Sequence, residues 1–318
     1  MTSESTRTDI DSEAELREAF DAADYVADDE IVTTVALALS LGKPLLVEGA
    51  PGTGKTELAK VIAAALDTEP IRLQCYEGLT AENALYEWNY TKQLLAVQTR
   101  SSGDPEATAN PDSVFSEEYL LERPLLRALR TDDGVPPVLL IDEVDRADEA
   151  FEALLLEVLS DFQISVPELG TVSADVPPVV VITSNRTRGL SDALKRRCLY
   201  LYIEPPDFEK ERHIVERKVP GLETDLARDI VGFVQGLRES SLRKQPGISE
   251  TLDWARALTT LRDSGSDLTV SEVRETLGCL LKEAEDVEHV DDERIADILE
   301  QYAGQPTANS STTDPDGG

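Results

Sequence analysis

The stretch Pro44-Leu-Leu-Val-Glu-Gly-Ala-Pro-Gly-Thr-Gly-Lys-Thr56 decides how the chain is read. Leu45 to Val47 is a short apolar run suited to a buried strand, and Glu57 to Leu66 continues in a helical pattern rich in Ala and Leu. Between them, Gly49 to Thr56 fits G-x-x-x-x-G-K-[ST] in the strand–loop–helix setting that gives the pattern its meaning. Phosphate oxygens need several backbone N–H groups converging on them, and Gly49, Gly52 and Gly54 let the chain approach that closely. The start of the helix adds the positive end of its dipole. The candidate nucleotide-binding residues are therefore Gly49, Ala50, Pro51, Gly52, Thr53, Gly54, Lys55, Thr56 and Glu57. Lys55 would reach the β- and γ-phosphates of ATP, and the Thr56 hydroxyl would ligate Mg²⁺. The bland alternative is a glycine-rich turn that binds nothing.

The second anchor is Val138-Leu-Leu-Ile141 followed by Asp142-Glu143. A buried parallel strand that ends in two carboxylates places them where ligands bind in open α/β sheets. Asp142 would hold Mg²⁺, directly or through water, and Glu143 would be the separate base that polarises the attacking water. Its bland alternative is a helix start capped by Asp142. Val179 to Thr183 is another buried strand, ending at Ser184-Asn185. Asn185 either hydrogen-bonds the water and the γ-phosphate or simply caps the next turn. Lys195-Arg196-Arg197 closes a short helix from Ser191. These cations either complement the helix dipole or contact the phosphates of a neighbouring subunit's nucleotide.

Lysine and arginine number 30 against 63 aspartate and glutamate, giving a net charge of −33 and a pI near 4.3. The acids are spread through every segment, as in proteins that stay hydrated in very high salt, so a halophilic source is expected. Such a surface repels nucleic acid, and no basic groove is visible in the sequence. No apolar stretch is long enough to span a bilayer, and Met1 to Ser12 is polar and acidic rather than a signal peptide. The three cysteines, Cys75, Cys198 and Cys279, have no metal-ligand spacing and suit a reduced, cytoplasmic protein.

The chain divides by pattern into an acidic lead-in (1–29), an α/β nucleotide-binding domain (30–205), a small all-helical domain (206–303) and a disordered tail (304–318). The lead-in carries a helical segment near Glu13 to Ala23. Residues 101–112 read as an exposed loop, Leu120 to Leu129 as a helix, and Gln163 to Val172 as a hairpin turning at Pro167-Glu-Leu-Gly170. Tyr86, Trp88 and Tyr90 are better suited to packing an inserted helix than to binding. Past Pro205-Pro206 only helical patterns follow, among them Glu250 to Arg262 and Val270 to Lys282.

Taken together, these residues resemble a MoxR-type AAA+ ATPase of the CoxD-like branch, from Tyr25 to about Leu281. The likeness rests on the Lys43–Thr56 stretch, Leu140-Ile-Asp-Glu-Val-Asp-Arg-Ala147, Leu155-Leu-Glu-Val-Leu-Ser-Asp-Phe-Gln163, Thr183-Ser-Asn185, Ala193-Leu-Lys-Arg-Arg-Cys198 and Gly247-Ile-Ser-Glu-Thr-Leu-Asp-Trp-Ala-Arg-Ala257. The resemblance implies a P-loop AAA+ α/β fold, a five-stranded parallel sheet with flanking helices followed by a helical lid. It implies Asn185 as sensor 1 and Arg197, or its neighbour Arg196, as a finger acting in trans within a ring, commonly a hexamer. It also implies a von Willebrand factor A domain partner and chaperone-like work on a client protein or metalloenzyme complex. A slow assembly switch, a chelatase subunit and a nucleic-acid motor are the competing classes. One departure stands out: where relatives carry a lid arginine this chain has Thr251, with Arg256 farther along the same helix. Tyr25 and Val26 fall where relatives line the adenine pocket.

Overall fold

A computed structural model describes residues 12–100, 117–131, 134–166, 170–262 and 268–302. The start of the lead-in, the 101–112 loop, most of the hairpin turn and the tail lie outside the described residues. The chain divides into two compact units, 1–204 and 205–318.

The first unit begins with α1 (Glu13–Ala22), α2 (Asp29–Leu41), β1 (Leu45–Gly49), α3 (Lys55–Ala65) and β2 (Pro70–Gln74). A small excursion follows: α4 (Ala81–Leu85), β3 (Tyr86–Trp88), α5 (Tyr90–Arg100) and β4 (Leu120–Glu122). The chain then returns through α6 (Pro124–Arg130), β5 (Val138–Asp142), α7 (Glu149–Asp161) and the antiparallel pair β6 (Gln163–Val166) and β7 (Gly170–Ser173). It closes with β8 (Val179–Ser184), α8 (Asp192–Arg197) and β9 (Leu199–Ile203).

The five main strands form one parallel sheet in the order β2-β5-β8-β1-β9. Every residue of β1 and β5 is buried, as the continuous apolar runs require of strands covered on both faces. On one face, Leu45, Val47, Leu140 and Val181 pack beneath Phe20 of α1, Val35 of α2 and Leu58 and Ile62 of α3. The acidic lead-in thus contributes Leu16 and Phe20 to this core. On the other face, Leu46, Leu139, Ile141 and Ile182 meet Leu125 of α6, Phe151 and Leu155 of α7 and Leu194 of α8.

The expected helix over Leu120 to Leu129 is half right. Pro124 has no N–H and belongs at a helix start, so α6 begins there with the proline in its first turn. Residues Leu120–Glu122 are instead extended and pair antiparallel with Tyr86–Trp88. The Tyr86 and Trp88 rings meet edge to face at 5.8 Å, whereas Tyr90 is exposed.

The second unit comprises α9 (Phe208–Lys218), α10 (Thr224–Arg238), α11 (Ile248–Leu261), α12 (Val270–Thr276), α13 (Ala284–His289) and α14 (Asp292–Tyr302). The pattern read as one helix to Lys282 breaks after Thr276 into a short 3-10 turn, and Lys282 donates to the carbonyls of Gly278 and Cys279. Gly236 lets α14 lie against α10, because a Cβ there would come within 2.7 Å of Ile298. Trp254 is fully buried beside Phe233 and donates to Thr276 Oγ1 at 2.7 Å.

Thr251 is also inside this core. Its hydroxyl donates to Glu211 Oε1 at 2.9 Å, and Glu211 further accepts from Arg238 at 2.6 and 2.8 Å and from Gln235 at 2.9 Å. Arg256, by contrast, is exposed and pairs with Asp253 at 3.1 Å. Removing one partner of a buried ion pair strands the other charge. Arg238→Ala is therefore expected to destabilise the helical unit by about 3–5 kcal/mol, and Arg256→Ala by less than about 1 kcal/mol, read by denaturant unfolding.

Candidate functional site

β1 delivers the chain into the phosphate-type loop at Gly49, where no other residue fits: a Cβ would lie 2.4 Å from the Ile203 carbonyl oxygen on β9. Gly52 and Gly54 adopt left-handed φ values of 80° and 91°, which side-chain-bearing residues rarely hold. Thr53 Oγ1 donates to Ala50 O at 2.9 Å and closes the loop on itself. Gly54, as N-cap of α3, has no side chain to engage the first N–H groups of the helix. Those donors point out of the helix end, the setting in which an anion binds. Lys55 is buried, and its Nζ donates to Gly49 O at 2.9 Å and Ala50 O at 2.7 Å. Burial pushes this ammonium down from its ordinary pKa, against the pull of Asp142, Asp145 and Glu143. Glu57, in the first turn of α3, pairs with Lys60 at 3.1 Å. Tyr25 packs edge to face on Phe20 and lies 4.0 Å from where a Cβ on Gly54 would stand.

β8 sits between β1 and β5, so the tips of all three strands converge. Asp142, only 2% exposed, accepts through Oδ1 from Thr56 at 3.0 Å and Thr183 at 2.5 Å. Its Oδ2 accepts from Arg72 at 3.0 and 2.6 Å. Glu143 adopts a left-handed φ of 55°, strained for a side-chain-bearing residue, and its N–H donates to Thr183 Oγ1. Its Oε2 takes Gln74 at 3.0 Å and Arg146 at 3.0 Å, while Oε1 meets Asn185 Nδ2 at a long 3.4 Å. Asn185 is held by its own N–H, which donates to Asp145 Oδ1 at 3.1 Å.

Asp145, Thr183, Arg72, Gln74 and Arg146 are the site residues that motif reading missed. The signal for the β2 pair was in the sequence: in Ile71-Arg-Leu-Gln74 the polar residues alternate with apolar ones, which puts both on one face. Asp145 carries no such mark. Burial would raise its pKa, but donors from Thr187 and Asn185 outweigh it and leave the carboxyl below its ordinary value.

The oxygen pair of Thr56 and Asp142 suits a hard divalent cation that takes its other ligands from phosphates and water. Among the described residues no group of three or more His, Cys, Asp or Glu could hold a metal by itself.

Arg196 and Arg197 are placed apart from this cluster. α8 leads directly into β9, whose first residue, Leu199, pairs with Leu45 at the start of β1, whereas the loop follows the far end of β1. That is roughly 13 Å of strand at ~3.3 Å per residue. Arg197 touches Ser160 Oγ at 3.2 Å and Ala193 O at 3.4 Å, and Arg196 projects outward.

Residues 44–198 match the family described as AAA domain (dynein-related subfamily). Over this stretch the chain is similar to AAA domains. Such domains bind nucleotide and in general hydrolyse it. The chain is 28% identical over 247 residues to an uncharacterized protein of Staphylococcus haemolyticus, covering 75% of this chain and 84% of that one. Uncharacterized Staphylococcus aureus proteins match over the same shares at the same identity. Among solved structures it is similar to the RuvB Holliday junction branch migration motor of Thermotoga maritima, with TM-score 0.42, 20% identity, and 89% and 79% of the two chains covered. A mutant of the same RuvB gives a TM-score of 0.45 at 19% identity over 85% and 73%.

Asp145→Ala would leave the N–H groups of Asn185 and Thr187 without their acceptor, each orphan costing about 1–3 kcal/mol. Thermal unfolding is expected to show the sum of the two, a loss of about 2–6 kcal/mol. Because the folded carboxyl titrates below its ordinary value of 3.8, its contribution is present above that pH and fades as pH falls through the lowered value. The gap between the two proteins should therefore narrow in acid.

Proposed function

We propose that this protein is a MoxR-type ATPase of the CoxD-like branch, using Mg·ATP hydrolysis for chaperone-like remodelling or activation of a client protein or metalloenzyme complex. The observation that carries the reading is the meeting of Thr56, Asp142, Glu143 and Asn185 at the tips of three adjacent parallel strands. Lys55 and the N–H groups of the loop bind the β- and γ-phosphates. Thr56 and Asp142 would hold Mg²⁺, which supplies neutralisation of charge on those phosphates. Glu143 takes the proton of the attacking water at Oε1, the oxygen whose contact among the described residues is the long one to Asn185. Gln74 and Arg146 hold Oε2 and keep the carboxylate aimed. Asn185 orients the water against the γ-phosphate.

The remaining element comes from a second copy. Arg197, with Arg196 beside it, stands at the opposite end of the strands from its own loop, so its reach is toward a neighbour's nucleotide in a ring, a hexamer by family analogy. A von Willebrand factor A domain partner, a cytoplasmic setting and a high-salt habitat complete the proposal, the last supported by the charge of −33. The client rests on family analogy alone.

Lys55→Ala is expected to abolish ATP binding, whereas Glu143→Gln should bind ATP and lose turnover by at least about a hundredfold. Equilibrium binding and phosphate release measure the two, and normal turnover in Glu143→Gln would remove the base. Arg197→Ala alone should be inactive yet regain turnover when mixed with Glu143→Gln protein, because each mutant supplies what the other lacks. Full activity of the pure arginine mutant would refute the trans role.

A further inference from the structure

Arg72 has no motif to announce it, yet it is the side chain most firmly attached to the acidic pair. Both donations to Asp142 Oδ2 come from one guanidinium, Nε at 3.0 Å and Nη2 at 2.6 Å. The same Nη2 donates to Gln74 Oε1 at 2.5 Å, and Gln74 Nε2 in turn donates to Glu143 Oε2 at 3.0 Å. The register of β2 against β5 sets Gln74 opposite Asp142, with Arg72 two residues back on the same face. One cation thereby reaches both carboxylates, Asp142 directly and Glu143 through a single amide.

We propose that Arg72 is a positioning residue for the metal carboxylate and the base together. The proposal rests on the Mg·ATPase reading. The other partners of Asp142, the hydroxyls of Thr56 and Thr183, can donate or accept, but a guanidinium can only donate. Arg72 is therefore the fixed member of the set, and by taking Oδ2 with a two-pronged fork it turns Oδ1 toward Thr56. A lysine, as a single point donor, has no such fork. The same logic fixes the amide. A side-chain amide can present either its oxygen or its nitrogen, and a donor at Arg72 selects the oxygen. Nε2 is then left to face Glu143. Without Arg72, Gln74 is free to turn its oxygen toward the carboxylate, which sets acceptor against acceptor.

The test uses the full chain with Mn²⁺ and the non-hydrolysable analogue AMP-PNP. Metal affinity is read by Mn²⁺ electron paramagnetic resonance, and turnover is read separately with Mg·ATP. Arg72→Ala is expected to weaken Mn²⁺ binding by about tenfold or more, to leave metal-free AMP-PNP binding unchanged, and to lower kcat. Arg72→Lys, which keeps the charge without the fork, should not restore the Mn²⁺ affinity, and it carries the test if Arg72→Ala fails to fold. Gln74→Leu should lower kcat while binding Mn²⁺ like the unsubstituted chain, separating the two arms. Unchanged or tighter Mn²⁺ binding in Arg72→Ala, or full rescue by lysine, overturns the clamp. An unchanged kcat in Gln74→Leu overturns the amide relay. If the unsubstituted chain binds no AMP-PNP, the ATPase reading falls and the proposal with it. Intact nucleotide binding with metal affinity indifferent to residue 72 defeats the proposal alone.

Discussion

The structure of the first unit depends on how one buried carboxylate is satisfied. An ionised group at the end of a central strand, out of contact with water, is several kcal/mol unfavourable unless donors replace its hydration. Asp142 finds them in Thr56 on α3, Thr183 on β8 and Arg72 on β2. Those three elements are the loop helix, the strand leading to Asn185 and the sheet edge, so a single side chain ties together everything that faces the crevice. Asp145 repeats the device one turn later. It gathers Asn185 and Thr187, so the tail of β5 holds the tail of β8 in place. The strained φ at Glu143 is sustained between these two anchors.

Local sequence carries much of this, and long-range pairing carries the rest. The loop was legible because glycine positions, an apolar strand and an Ala-rich helix are contiguous. β5 was legible because a strand covered on both faces must read as an unbroken apolar run. The face that Arg72 occupies on β2 was legible too, but its pairing with Asp142 and that of Asp145 with Asn185 were not, because the partners lie 70 and 40 residues away, a separation that no spacing rule spans. The excursion after β2 failed for a different reason. Leu120-Leu-Glu122 has helix-forming composition, and only pairing with Tyr86–Trp88 makes it extended. In the helical unit, the resemblance puts Thr251 where relatives carry a lid arginine, and its hydroxyl proves to be spent on Glu211.

The acidity of the chain has two separate origins. The buried acids are individually matched: Glu48 by Tyr200 and Arg186, Glu152 by Ser191 and Arg188, Glu211 by Arg238, and Asp286 by the N–H groups of Arg243 and Lys244. These serve folding and would be needed at any salt concentration. Among the described residues most of the other acids are exposed or half-exposed, where pairing is worth little and screening governs. The proposed high-salt habitat would account for the charge without requiring a cationic partner, and the site needs no special chemistry to coexist with it.

Against that background the Lys195-Arg196-Arg197 cluster is an expense that local structure explains poorly. A dipole contribution of roughly 0.3–1 kcal/mol per cation near the end of a helix falls off within a turn, and α8 is only six residues long. Arg197 is held by two long, exposed contacts that are easily surrendered. Within one copy, Arg72 and Arg146 are already paired with Asp142 and Glu143, and two of the three donors of Lys55, the cation of the loop itself, are engaged by Gly49 and Ala50 carbonyls. Transfer of a phosphoryl group spreads negative charge over its equatorial oxygens, which calls for more positive charge than that. The cations that could supply it are carried at the wrong end of the same sheet to serve their own loop. A second copy would resolve both difficulties at once, which is the physical reason for proposing that the active unit is a boundary between subunits rather than a single chain.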